Sequence, residues 1–296
     1  MTKLVTRGQR VFSVFNYIFI VGVCLTCFLP LLNTLAVSFS SPAYVASGTV
    51  YFIPKGFTTM AYEFAISNGK FLQAFKVSVI RCALGVSINL FMMVTTAYPL
   101  SKTRERFGAR NIYMTFYIIT MLFGGGLIPY YILVNRLGLL NSIWALVLPL
   151  SCPVYSMVIL MNFIRNLPSE LEEAAMIDGA GHLRVLVDIL LPVVKPSLAT
   201  VGLFAFVNHW NDWFTGALFM HNPENYPLQT YLQTLLTNFR DMIRQSGSDY
   251  YLLLARMNEQ TGRAAQLFLG LVPMLVIYPF VQRYFTTGLV MGSVKG

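Results

Sequence analysis

The stretch VFSVFNYIFIVGVCLTCFLPLLNTLAV, residues 11–37, decides the fold class of this chain. It contains no charged side chain and exceeds the roughly 20 apolar residues that a helix needs to cross the hydrocarbon core of a bilayer. A cleavable leader has a shorter apolar core and small residues at its cleavage site, which this stretch lacks. We therefore expect a membrane-spanning helix that is not cleaved off.

Further apolar runs follow at close spacing, and the composition agrees with a membrane protein. Hydrophobic residues make up 56% of the chain and charged residues 11%, whereas a soluble domain has about a quarter charged residues. The runs are too long and too continuous for barrel strands, and only helices otherwise satisfy their own backbone in lipid. We expect an all-α, polytopic membrane protein with one domain, 11–296, after an N-terminus of residues 1–10. The six predicted spans lie near 11–37, 75–100, 112–134, 143–164, 197–219 and 267–284.

Lysine and arginine indicate the orientation, because short cytoplasmic loops of membrane proteins are enriched in them. Twelve of these residues fall on the two termini and on the short loops 101–111 and 165–195, and seven fall on the opposite side. Both termini are therefore expected in the cytoplasm. Segments 38–74 and 220–266 become outer loops long enough to contain helices. The net charge of +9 is then explained by the basic residues that set the membrane orientation, and no nucleic-acid partner is expected.

The cytoplasmic loop 165–195 contains the most specific local signals in the chain. Ser169 followed by Glu172 is the pattern of a capping box at a helix start. The helix should run to about Asp178, and Gly179 can then take the positive φ that turns the chain. Its alanines, Ala174 and Ala175, should be exposed and let another surface approach.

A second short helix is predicted over 182–190, with Leu183, Leu186, Val187 and Leu190 as its apolar face and with Pro192 and Pro196 marking its end. Two interpretations of the loop remain open on physical grounds. It could be a rigid elbow that docks on another protein, or an amphipathic loop that lies on the membrane.

The loop resembles the EAA loop of binding-protein-dependent ABC importer permeases. Glu173-Ala174-Ala175, then Gly179, nine residues, and Ile189-x-Leu191-Pro192 match E-A-A-x-x-x-G and I-x-L-P without a gap. The resemblance implies the ABC importer type I permease fold and a loop that seats on a cytoplasmic ATPase subunit. The residues implicated in that contact are Glu172, Glu173, Ala174, Ala175, Asp178, Gly179, Ala180 and Pro192.

The resemblance extends along the chain, through the segments 97–101 (AYPLS), 209–213 (HWNDW) and the tail from Gln282. It is similar to the carbohydrate-uptake, maltose-permease-like permeases that take up oligosaccharides derived from plant or algal polysaccharides, and it implies an oligosaccharide cargo, with acidic oligosaccharides among the candidates. It implies a bacterial inner-membrane location, a second homologous permease subunit, two ATPase subunits and an external solute-binding protein. No G-x-x-x-x-G-K-[ST] motif occurs, so ATP and Mg²⁺ are expected on the ATPase, and this chain is expected to be neither an enzyme nor a cofactor or metal binder.

The predicted fifth span contains one acid, Asp212, among amide and indole side chains that suit the polar edges and ring faces of a sugar. Residues 208, 212 and 215–216 would share one face of a continuous helix. Gly124-Gly125-Gly126 should break the third span, and broken spans often line cavities. The candidate pathway residues are Asn208, Trp210, Asn211, Asp212, Trp213, Gly125 and Tyr130.

Purely structural roles remain as alternatives for these candidates. The cluster at Asp212 could form hydrogen bonds within the helix bundle or an interfacial tryptophan belt, and the glycines could allow a close helix crossing. Arg81 should extend to water at the outer edge of the second span, and His182 should be a solvated surface histidine. A permease for peptides or amino acids, and an ion-coupled secondary transporter, remain as alternative functions.

Overall fold

The computed structural model describes residues 7–67, 69–234 and 259–293, and every regular element in these ranges is helical. The predicted tail beyond Ser293 and most of the outer loop 220–266 lie outside the described residues. The elements are α1 (Arg7–Ser38), α2 (Pro42–Ala46), α3 (Met60–Ser67), α4 (Gly69–Ser101), α5 (Arg110–Leu122), α6 (Leu127–Arg136), α7 (Ile143–Val147), a 3₁₀ turn (Leu148–Leu150), α8 (Val154–Arg165), α9 (Glu170–Ile177), α10 (His182–Arg184), a π turn (Val185–Leu190), α11 (Leu191–Val193), α12 (Lys195–Asn211), α13 (Phe214–Phe219), a 3₁₀ turn (Pro223–Asn225), α14 (228–234) and α15 (Glu259–Ser293).

Three helices are each long and apolar enough to cross a membrane: Gly8–Ser38, Gly69–Ser101 and Glu259–Pro279. Three pairs of helices meet the same criterion when each bent pair is taken as one span, so the described residues provide up to six spans. The all-α, multi-spanning architecture is thus confirmed. The orientation of the termini stays a prediction.

The third span bends by 114° between α5 and α6, at the glycine run that the sequence indicated. Phe123 is extended with ψ 99°, and Gly126 has φ 86°, a left-handed value that costs a side-chain-bearing residue energy. The predicted break of this span is confirmed. The fourth span also bends, by 47°, where Pro153 precedes α8.

The fifth span is not the continuous helix predicted over 197–219. Helix α12 ends at Asn211, Asp212 is extended with ψ 100°, and α13 begins at Phe214. Residues 208, 212 and 215–216 therefore do not share one helical face, and that prediction was wrong. Asp212 breaks the helix because its carboxylate accepts from the backbone N–H of Thr215 (3.1 Å) and so caps the next helix.

The chain divides into two compact units, and the single-domain organisation stays a prediction. In the unit of residues 1–69 and 234–271, the segment after α1 folds back on itself. Ser41 N–H donates to the Lys55 carbonyl (3.0 Å), and the Phe39 ring stacks on Phe57 and Tyr62 at centroid distances of 5.4 and 4.6 Å. The predicted outer segment 38–74 thus contains helices α2 and α3.

In the unit of residues 70–233 and 272–296, the core forms where α4, α8 and α12 meet the loop 165–195. Met93, Met157 and Leu160 are fully buried there, beside Val185 and Leu190 of the loop. The loop is therefore packed onto the helical core. It does not extend away from it.

Candidate functional site

The loop 165–195 forms the predicted elbow. Helix α9 ends at Ile177, and Gly179 follows with φ 83°. The N–H of Ala180 donates to the Ala175 carbonyl (2.9 Å) and that of Gly179 to the Met176 carbonyl (3.0 Å), which closes the helix end. Both the predicted helix end and the glycine turn are confirmed.

The start of α9 differs from the prediction. The Ser169 side chain makes no capping hydrogen bond, so the capping box was wrong. The Glu172 carboxylate that should complete it forms an ion pair with Lys102 and lies 3.8 Å from Arg106. A strong tertiary charge pair has replaced the weaker local contact. Arg106 also bonds the Glu173 carboxylate (2.9 Å), a side chain that stays half-exposed.

The second half of the elbow buries a different face from the predicted one. Val185, Leu186 and Leu190 point inward, whereas Leu183 and Val187 are exposed at 75% and 48%. A π turn spans Val185–Leu190, so residues five apart come onto one face, and helical periodicity of 3.6 gave the wrong set.

Of two smaller predictions on the elbow, one fails and one is confirmed. Ala174 is exposed as expected, but Ala175 is only 7% exposed because it faces the helical core. The second helix of the elbow ends between Pro192 and Pro196, as predicted. The chain stays helical to Val193, and the wider turn before Pro192 accommodates a residue that cannot donate to the carbonyl four positions back.

A groove of about 670 Å³ runs between the two halves of the elbow. Its lining mixes apolar and charged side chains, among them Leu171, Ala174, Asp178, Arg184 and Ile189. Ile177, beside the groove at the end of α9, is 85% exposed. The elbow thus presents apolar groups and charges on its outer side. Glu173, Asp178, Gly179 and Pro192 are exposed, and Ala180 is partly exposed.

The acid predicted to face a pathway is paired inside the protein. Asp212 accepts from Arg81 Nη2 (2.5 Å) through its carboxylate and from Arg81 Nη1 (2.8 Å) through its backbone carbonyl. Thr215 accepts from Arg81 Nη2 at 3.0 Å. Arg81 is fully buried, so the expectation that it extends to water was wrong. Its guanidinium forms hydrogen bonds across the break of the fifth span.

A second polar contact joins the same two spans. His209 Nε2 lies 2.8 Å from Asn89 Oδ1, and the Asn89 amide donates to the carbonyls of Leu150 (2.5 Å) and Ser151 (2.8 Å). Gly85 makes room for the imidazole, since a Cβ there would lie 2.4 Å from Nε2. These contacts favour the interpretation in which this part of the cluster holds the bundle together.

The other pathway candidates separate into buried and exposed groups. Trp210 is 2% exposed, and its ring stacks on Phe206 at 5.8 Å. Asn208 and Asn211 are exposed, as are Gly125 and Trp213, the latter at 43%. Tyr130 is half-buried against Phe219.

Asn208 opens into a groove of about 510 Å³ between α5, the start of α8 and α12. Thr120, Tyr155 and Ser156 also line the groove, and the Thr120 hydroxyl donates to the Tyr117 carbonyl (2.8 Å) within α5. No sequence signal connected these residues with Asn208, because the four residues come from three separate spans.

Comparisons with known proteins agree with this architecture. A family described as "Binding-protein-dependent transport system inner membrane component" matches residues 7–290. The chain is 38% identical to Protein LplC of Bacillus subtilis (strain 168) over 291 residues, which cover 98% of this chain and 97% of that protein. It is 35% identical to the polygalacturonan/rhamnogalacturonan transport system permease protein YtcP of the same organism, with 97% and 99% covered.

Among solved structures, the chain is similar to a chain of a bacterial ABC transporter involved in the import of the acidic polysaccharide alginate. The TM-score is 0.86 at 27% identity, and 96% of this chain and 100% of that chain are covered. The family match covers residues 7–290 and so includes all the spans and the elbow described above. The protein therefore belongs to the binding-protein-dependent transport system inner membrane components, and it is a multi-spanning permease subunit of a bacterial ABC importer.

Proposed function

We propose that this permease imports an oligosaccharide released from an acidic polysaccharide, together with a second, similar permease subunit. An external binding protein delivers the sugar, and two ATPase subunits, which hold ATP and Mg²⁺, seat on the elbows. One observation carries the ATPase contact: Ile177 and Leu183, on either side of the Gly179 turn, are 85% and 75% exposed. Large apolar groups exposed on a polar loop are typical of a surface that another protein covers.

The contact can be tested at Ile177, because a side chain so exposed contributes little to the fold. We expect Ile177→Asp to reduce co-purification of the ATPase about tenfold, since a desolvated apolar contact at an interface contributes ~1–2 kcal/mol. The matched control is Ile177→Leu, which keeps the apolar surface and should retain the ATPase. Equal recovery with both variants would remove the elbow from the interface.

The cargo is inferred from the relatives and from the groove at Asn208. One relative is a permease for polygalacturonan and rhamnogalacturonan, and the similar structure belongs to an alginate importer. The groove combines the amide of Asn208 with three hydroxyl side chains and the aromatic ring of Tyr155. This pairing of hydrogen-bonding groups with a ring face suits a sugar, and an exposed amide tolerates a carboxylated one.

We expect Asn208→Leu to lower oligosaccharide uptake by about tenfold, because the bound sugar would lose one or two hydrogen bonds worth ~1 kcal/mol each. Uptake of labelled acidic oligosaccharide into proteoliposomes that contain the whole complex measures the effect. Asn162→Leu, an exposed asparagine on α8 outside this groove, is the matched control. Uptake that falls equally in both variants would remove Asn208 from the pathway.

The same complex separates the sugar proposal from its alternatives. ATPase activity should rise with acidic oligosaccharides and the cognate binding protein, and should not rise with peptides or amino acids. Uptake that persists without ATP and stops when the ion gradient collapses would indicate a secondary transporter instead.

A further inference from the structure

Helix α4 is held at its end near the elbow, and again within its first half, by charged side chains that are largely withdrawn from water. At the end near the elbow, Lys102 directly follows the helix and pairs with Glu172. Toward the other end, Arg81 pairs with Asp212 at the break of the fifth span. The two cations are 21 positions apart, which corresponds to about 32 Å along a helix.

The pair at the elbow is unlike an ordinary surface ion pair. The side chains of Lys102 and Glu172 are each only 11% exposed. The Lys102 ammonium also lies 4.1 Å from the centre of the Tyr98 ring, a cation–π contact on the same helix. Burial lowers the pKa of Lys102, and its hydrogen bond to Glu172 opposes that effect. Without Glu172 this ammonium would be desolvated and uncompensated.

Both halves of the elbow contact the end of α4. Glu172 and Glu173 tie α9 to Lys102 and Arg106, and His182 Nδ1 at the start of α10 lies 3.2 Å from the Tyr98 hydroxyl. His182 is exposed, as the sequence predicted, and it also contacts α4 through this hydrogen bond. Two attachments on opposite sides of the Gly179 turn prevent the elbow from pivoting freely on the helix.

We propose that α4 is the strut through which movement of the elbow reaches the break in the fifth span, and that Lys102 and Arg106 are positioning residues for this coupling. The proposal rests on the elbow being the ATPase contact. An ion pair between flexible, hydrated side chains would break when the elbow moves, because such a pair contributes only ~0–1 kcal/mol to stability. A buried pair gives way only at a much larger cost, so the elbow and α4 move together.

A charge exchange tests this strut in the intact complex. Lys102→Glu and Glu172→Lys each place two like charges together, and the double variant restores opposite charges. The readout is the ratio of ATPase activity with and without the sugar-loaded binding protein. We expect each single variant to lower this ratio about five- to fiftyfold, which lies within the range of typical coupling free energies, and we expect the double variant to restore most of the ratio.

The matched control is Arg104→Glu, which reverses an exposed charge on the same loop and should keep the ratio. Trypsin cleavage after Arg184, an exposed elbow residue, provides a second readout that needs no ATPase. The rate of this cleavage should rise in the single variants and should return to the rate of the unaltered protein in the double variant. Single variants with an unchanged ratio and unchanged cleavage, or a double variant without recovery, would overturn the strut. Failure of the unaltered permease to retain an ATPase would instead overturn the proposed docking, while the cleavage comparison would still test the attachment.

Discussion

Replacing Asp212 by alanine is expected to destabilise the folded permease by about 3 kcal/mol. Arg81 is fully buried, and the Asp212 carboxylate is its only anionic partner among the described residues. Removing one partner of a buried pair typically costs ~3–5 kcal/mol, and the 18% exposure of the Asp212 side chain places this site at the lower end. The variant should show a lower unfolding midpoint in detergent and a reduced yield of complex.

Two further variants separate charge pairing from capping. Asp212→Asn keeps an oxygen that can accept from Thr215 N–H, so α13 stays capped, but the guanidinium loses its counter-charge. Combining Asp212→Asn with Arg81→Met removes both charges and should recover most of the stability lost in Asp212→Asn. A normal midpoint in Asp212→Ala, with uptake alone reduced, would show that the carboxylate serves the pathway and not the fold.

The Arg81–Asp212 pair illustrates what hydropathy does not reveal. The sequence indicated an unusual acid in the fifth span, and intramembrane acids usually have a partner. The partner is 131 residues away, on a helix where an arginine near the predicted end could equally extend to water. Only tertiary packing distinguishes these two cases. The break at Asp212 was missed too, although it rests on a different contact, the hydrogen bond from Thr215 N–H to the Asp212 carboxylate.

For the elbow, the sequence predicts the turn but not the buried face. Its turn was predictable because the positive φ of Gly179 is a local property of the backbone. Its buried face was not, because the π turn over Val185–Leu190 changes the periodicity, and Glu172 prefers Lys102 to the local cap. Residue spacing thus located the elbow. The charged side chains that hold it, Lys102 and Arg106, belong to the loop 101–111, whose charges the sequence analysis used only to predict the membrane orientation.

Replacing Gly179 by valine is expected to lower uptake by about thirtyfold or more while the protein remains in the membrane. Its φ of 83° lies in the left-handed region, where residues with a side chain lose ~1–3 kcal/mol and β-branched residues are least tolerated. A strain of ~2 kcal/mol shifts the equilibrium between the native turn and other turn geometries about thirtyfold away from the native one. The two halves of the elbow would then no longer present Ile177 and Leu183 to one partner surface.

The matched control for this turn is Gly179→Asn, because asparagine adopts left-handed conformations at little cost. A Cβ at position 179 would have no neighbour within 4 Å, so the two substitutions differ in backbone strain and not in steric contact within the protein. We expect the asparagine variant to keep most uptake and ATPase binding. If both variants lose uptake equally, the site excludes side chains because a partner approaches it closely. If neither loses it, the angle of the elbow does not control transport.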